Sequence, residues 1–222
     1  MNIEIKNIAK SFGRKQVLKD ISFLAKSGDC IGILGGNGCG KSTLISILAG
    51  VQQGDAGEFL YEGKNLFKYP KQRAQLVGYV PQGTPLMEEL TAYDNLLLWY
   101  DKTTLKKELD DGVLSLLGIK EFLKVPVSKM SGGMKKRLSI GCAISNRSPV
   151  LLLDEPMAAL DIACKQEISD YLQCHKNKGG IIVLVTHDVL ELELCNKCYI
   201  VKNGVLQPFQ YNGDIQQLVN SL

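Results

Sequence analysis

The sequence predicts an α/β fold in which a sheet is sandwiched between helices. Three observations carry this. Apolar runs of strand length alternate with helical patterns along the chain. Two runs, residues 150–153 and Ile181–Val185, are apolar without interruption, as strands covered on both faces must be. A third run, CIGIL at Cys30–Leu34, stops at glycines and leads into a helical pattern over residues 42–49.

The remaining elements follow in order. Ile3, Ile5 and Ile8 begin an opening strand, and residues 17–25 form a second. Residues 58–61 and 78–80 are further strands, and residues 92–124 alternate helical patterns with polar breaks. Near the end, YIVKNGVLQPF sets Asn-Gly between two β-prone runs, which predicts a hairpin. No repeat, low-complexity tract or Pro/Gly linker divides the chain, so one domain is expected.

Bulk composition narrows the function classes. The 222 residues suffice for one large domain or a core with a subdomain, and 45% apolar with 22% charged residues is a globular balance. Lys+Arg minus Asp+Glu is 26 − 23 = +3, too small an excess to argue for nucleic acid. No apolar run approaches the roughly 20 residues that span a bilayer. The N-terminus lacks a signal-peptide core, so a cytoplasmic chain is expected, with any membrane role coming through a partner. Seven scattered cysteines fit a reducing compartment and are expected to be buried and inert. Cys195 and Cys198 form a lone CxxC, and His175 and His187 are the only histidines, so no zinc set is expected.

GGNGCGKST, from Gly35 to Thr43, satisfies G-x-x-x-x-G-K-[ST] through Gly35, Gly40, Lys41 and Ser42. It lies where a phosphate-binding loop must, between an apolar strand and a helix. Glycines let consecutive backbone N–H groups of the loop, including Asn37, Gly38 and Cys39, turn inward around phosphate oxygens. The following helix aims its positive end at the same anion. Lys41 is expected at the β- and γ-phosphates, Ser42 on Mg²⁺ and the Thr43 hydroxyl on a phosphate.

VLLLDEP ends a buried strand with two acids, which is costly unless they are used or paired. Taken alone, Asp154 and Glu155 read equally as helix-start residues complementing a dipole. With the loop upstream, Asp154 reads as a Mg²⁺ ligand and Glu155 as general base on the attacking water. IIVLVTHD places His187 just past another buried strand, at the edge where parallel sheets bind ligands. In KMSGGMKKR, the paired glycines disfavour a helix interior and mark a helix start, with Ser131 as an N-cap. Lys135, Lys136 and Arg137 read as a mostly solvated basic face.

These pieces, in this order, resemble the ATP-binding subunit of an ABC transporter over nearly the whole chain. Gly35 to Thr43 looks like the Walker A loop, residues 150–155 like Walker B, and Ser131, Gly132 and Gly133 like the core of the signature motif. Gln82 matches the Q-loop glutamine, Ala159, Leu160 and Asp161 the D-loop, and His187 the switch histidine. Phe12 sits where the family places an aromatic on adenine. The resemblance implies a P-loop NTPase (RecA/F1-like) core with an antiparallel β subdomain, residues about 1–84 and 148–222, and a helical subdomain, about 85–147, carrying the signature. It implies ATP and Mg²⁺ as cofactors, with Gln82 touching both metal and lytic water. It implies Glu155, His187 and Gln82 as catalytic and Asp161 at the nucleotide.

The family's signature closes over nucleotide held by a second copy or paralogue, so a head-to-tail dimer coupled to an integral membrane permease is expected at the inner face of the cell membrane. Leu86, Met87, Leu96, Leu98 and Trp99 lie where the permease docks, or in the subdomain core. The single-domain length is similar to that of drug, ion or small-molecule exporters. Met130, Met134, Met157 and Ile162 depart from the family pattern, whereas the phosphate and metal positions are intact. A non-transport ABC ATPase, such as an assembly or translation factor, is the alternative. A GTPase is disfavoured because Asn196-Lys197-Cys198-Tyr199 lacks the aspartate that reads guanine.

Overall fold

The computed structural model describes residues 1–213 and Gln216; the rest of the expected core boundary, 214–215 and 217–222, lies outside the described residues. The three apolar runs form β3 (Cys30–Leu34), β7 (Val150–Asp154) and β8 (Ile181–Val185), buried along their whole length. With β6 (Val77–Val80) and β9 (Lys197–Lys202) they make a parallel array in the order β9, β3, β8, β7, β6. The period of two decides what each face meets. Val150, Leu152, Val183 and Val185 pack toward α1 (Lys41–Ala49), with its Leu44, Ile45 and Leu48. Leu151, Leu153, Ile182 and Leu184 pack instead with Ile168 and Leu172 of α7 (Ile162–Asn177) and with Leu138 and Ile140 of α6 (Gly132–Ala143).

The antiparallel strands β1 (Asn2–Phe12), β2 (Lys15–Lys26), β4 (Ala56–Tyr61) and β5 (Lys64–Asn65) continue the same ten-stranded sheet. The stitch is β10 (Val205–Phe209), antiparallel to β9 and paired to β2 through Val205 and Asp20. The expected Asn-Gly hairpin joins β9 to β10. Asn203 (φ 54°) and Gly204 (φ 81°) both have positive φ, the requirement of a type I′ turn.

Between β6 and β7 the chain forms α3 (Ala92–Leu97), α4 (Lys102–Asp110), α5 (Val113–Leu116) and α6. Thr91 and Asp94 close a capping box on α3, Asp101 caps α4 and Ser131 caps α6. Three helices lie outside the sequence expectation: α2 (Pro70–Leu76), α7 and α8 (Val189–Leu194). Asp161 and Asp188 cap the last two.

The basic run at the start of α6 is not a solvated face. Lys136 is 4% exposed and Arg137 8%. Lys136 donates to the carbonyls of Pro81 and Gln82, both at 3.1 Å. Arg137 pairs with Glu167 of α7, donates to Leu117 O at 3.3 Å and lies 5.0 Å over the Phe122 ring. Only Lys135 stays at the surface layer, paired with Glu88 at 3.3 Å. Two of the three cations therefore face inward, because α6 has neighbours on that side which charge spacing does not reveal.

The cysteines divide similarly. Cys30, Cys142, Cys164 and Cys198 are buried, but Cys39, Cys174 and Cys195 are only half-buried, contrary to expectation. Cys39 is exposed in part because it sits in the glycine loop, whose backbone is turned toward solvent.

Leu152→Ala removes a fully buried side chain between β7 and α1. It should cost about 2–5 kcal/mol, read as a lower urea midpoint at unchanged slope.

Candidate functional site

The glycine loop wraps the end of β3. Gly35 (φ 147°) and Gly40 (φ 109°) adopt backbone conformations that side chains disfavour. A Cβ on Gly40 would lie 2.7 Å from side-chain carbons of both Val17 and Leu18, so β2 presses directly on the loop. Lys41 is buried and donates to Gly35 O at 2.6 Å and Gly36 O at 3.1 Å. Its ammonium is thus held over the loop. Gly40 caps α1 with no side-chain hydrogen bond, and no acidic residue stands in the first turn. The helix start and one buried cation together form a ready anion site.

The neighbouring strands bring the acids to this loop. Register pairs Ile33 with Val185, Val185 with Asp154, and Leu153 with Val80. The residues following these strands are therefore collected along one edge. Asp154 ends β7 and is buried, and the turn that follows runs to α7, so no helix starts at these acids. The helix-start reading is set aside. Burial raises the pKa of Asp154, opposed by a hydrogen bond from the Ser42 hydroxyl. Its Oδ1 is buried without a partner among the described residues. A buried carboxylate oxygen left open beside a hydroxyl suits a hard cation.

Glu155 has φ 49°, rare for a residue with a side chain, and its N–H donates to Val185 O at 3.0 Å. Its carboxylate accepts from Gln82 Nε2 at 2.8 Å and lies 3.8 Å from His187 Nε2. Burial first, and then Lys41, lower the pKa of His187, while Glu155 opposes them. The structure thus gathers Gln82, Asp154, Glu155 and His187 beside the loop.

The signature residues stand on a different element, the start of α6. Ser131 Oγ accepts from Met134 N at 3.2 Å and starts α6. A Cβ on Gly132 would meet nothing within 4 Å, whereas one on Gly133 would lie 2.6 Å from Cys164 Sγ. One glycine is open to solvent and the other lets α6 close on α7. Asp161 caps α7 by accepting from Cys164 N at 2.8 Å. Ala159, just before it, has φ 57°. Phe12 is 48% exposed at the end of β1, on the same hairpin whose Val17 touches Gly40. Of the departures, Met130 and Met157 are buried, Met134 is half-buried against the core, and Ile162 is 82% exposed.

Lys136 and Glu191 also adjoin the site and were missed from sequence. Lys136 binds the Gln82 carbonyl from α6, and Glu191 accepts from Met157 N at 2.8 Å. Neither contact leaves a local motif.

His187 should titrate below 6.5 by NMR. Glu155→Gln should move its midpoint lower still, because the carboxylate that favours the imidazolium is gone.

Comparison with known proteins places the chain. Residues 18–158 match the family model described as ABC transporter. The spermidine/putrescine import ATP-binding protein of Spiroplasma citri is 36% identical over 216 residues, 92% of this chain and 60% of that protein. The linearmycin resistance ATP-binding protein of Bacillus subtilis (strain 168) is 34% identical, covering 91% of this chain and 67% of that one. A solved ATP-binding subunit of an ABC transporter superposes with TM-score 0.84 at 25% identity, over 99% of this chain and 94% of its own. A dimeric bacterial ABC transporter cassette gives TM-score 0.80 at 26% identity, over 96% and 100% of the two chains. With its sheet order, its glycine loop and the polar row beside that loop, this chain belongs to the ABC transporter family and resembles its ATP-binding subunits.

Proposed function

We propose that the chain binds ATP with Mg²⁺ and hydrolyses it in a head-to-tail dimer that powers a membrane permease. The observation that carries this is the convergence of Glu155, Gln82 and His187, linked at 2.8 and 3.8 Å, beside an anion-binding loop. Family membership supports ATP as the ligand. Ser42 and Asp154 would hold Mg²⁺, with Gln82 a third contact. Held there, Mg²⁺ would supply positive charge to offset the negative charge of the phosphates.

Each remaining role follows from position. The loop amides of residues 35–43, with Lys41, orient the phosphates, and Thr43 adds a hydroxyl. Glu155 takes a proton from the attacking water, and Gln82 holds the carboxylate in place. His187, neutral at pH 7 because its pKa is depressed, can donate one hydrogen bond to the γ-phosphate. Phe12 offers its exposed ring to adenine. Ser131, Gly132 and Gly133, with Asp161, would complete the site of a second chain. The outward-facing start of α6 supports that reading.

The permease reading rests on exposed apolar residues that follow Gln82 in the sequence. Leu96 is core and Leu86 is half-buried, but Met87, Leu98 and Trp99, the last 60% exposed, face outward. Asn95 clamps the Met87 backbone to α3 with hydrogen bonds of 2.9 and 3.1 Å, so Met87 is fixed in place. Among the described residues no helix is long and apolar enough to cross a membrane. In this reading, attachment to the inner face comes through the permease.

Glu155→Gln should lower the ATPase rate by about 10²–10⁴-fold while ATP still binds, and should accumulate an ATP-bound dimer. Light scattering that shows only monomer at saturating ATP would count against the dimer. Affinity purification from native membranes should retain a multi-span protein. Recovery wholly soluble on ribosomes would instead support the non-transport alternative.

A further inference from the structure

We propose that Glu191 is a positioning residue of the hydrolytic centre, clamping the segment after Glu155 to the loop that carries His187. This rests on the hydrolysis reading above.

Glu191 stands in α8 and is 1% exposed. A carboxyl at that depth must be hydrogen-bonded to be tolerated. Its Oε1 accepts from Met157 N at 2.8 Å, and the Thr186 side chain lies close enough to help lower the pKa of the same carboxyl. Met157 lies two residues beyond Glu155, and Thr186 directly precedes His187. One side chain thus joins both strand-end segments.

The surroundings show why a clamp is needed. Glu155 holds a left-handed backbone, which persists only where neighbours over-determine it. On its N-terminal side the constraint is the bond from Glu155 N to Val185 O at 3.0 Å. On its C-terminal side, the bond from Met157 N to Glu191 supplies the matching constraint. The anchor is itself fixed. Asp188 caps α8 through Leu190 N at 2.9 Å and pairs with Lys165 of α7, and Asp188 N donates to the Thr186 hydroxyl at 2.8 Å. Glu155, Ala158, Thr186, His187, Asp188 and Glu191 line an open pocket of about 210 Å³. The clamp therefore sets the separation of Glu155 and His187, whose Oε1 and Nε2 stand 3.8 Å apart beside this water-sized pocket.

Burial pushes the Glu191 pKa up to about 7, with Asp188 raising it further and Lys165 opposing. Lys136 of α6 also acts on this carboxyl. The Met157 bond uses a carbonyl-type oxygen, so it survives in either protonation state and in a glutamine.

The test compares Glu191→Leu and Glu191→Gln in the full chain, with phosphate release, fluorescent-nucleotide affinity and thermal melting as readouts. Glu191→Leu should lower kcat about ten- to hundredfold with little change in KM, because it displaces the reacting groups without touching nucleotide. It should also speed hydrogen exchange at Met157 N and shift the His187 ring signals in nucleotide-free protein. Glu191→Gln should restore kcat and exchange protection. Three results would overturn the proposal: Leu leaving kcat and Met157 exchange at wild-type values, its loss lying wholly in KM, or Gln failing as badly as Leu. Wild-type protein that releases no phosphate would instead sink the hydrolysis reading, while the exchange and NMR readouts still show whether the clamp exists.

Discussion

The parallel hydrogen-bond ladder of β6, β7, β8 and β3 is the constraint on which the site depends. A parallel ladder makes neighbouring strands end on the same side of the sheet. Register then fixes how far along each strand that end falls, and here Asp154 lies opposite Val185, which lies opposite Ile33. Slipping β7 by one residue would turn Leu152 and Leu153 to the wrong layers and swing the acids away from the loop. The two packed faces thus police the site, because the alternation that divides Leu151 and Leu153 from Val150 and Leu152 admits only one register. Core packing and catalytic geometry are one specification here.

The electrostatics follow from that gathering. Asp154 and Glu155 bring negative charge to a buried edge, where Lys41 and Lys136 bring positive charge. Burial lowers the Lys136 pKa, and the attraction of Asp154, Glu191 and Glu155 works against it. The two lysines spend their donors on backbone carbonyls rather than on the acids. Asp154 Oδ1 is thereby left open, whereas a direct lysine pair would have consumed the oxygen.

What the sequence revealed was local. The glycine loop, the buried strands and the Asn-Gly turn each declare themselves within a few residues, because backbone conformation at those points dictates residue type. Ser131 as a cap is of the same kind. What it concealed was relational. Lys136 and Arg137 look like ordinary surface charge, and only the approach of Pro81, Gln82 and α7 makes them interior. Glu191 sits in a short helix of mixed leucine and glutamate, with nothing nearby to show that its partners are Met157 and Thr186. Of the apolar residues after Gln82, composition could not separate core Leu96 from outward Trp99, since both suit a helix end.

The Lys136 ammonium has a mechanical meaning. It is anchored in α6, one turn past the solvent-open Gly132, and it grips the two successive peptide carbonyls of Pro81 and Gln82. A rotation of α6 cannot leave those carbonyls behind without breaking two charge-assisted hydrogen bonds in a buried place. The start of α6 and the glutamine that touches Glu155 therefore behave as the two ends of one lever, with a lysine as its pin.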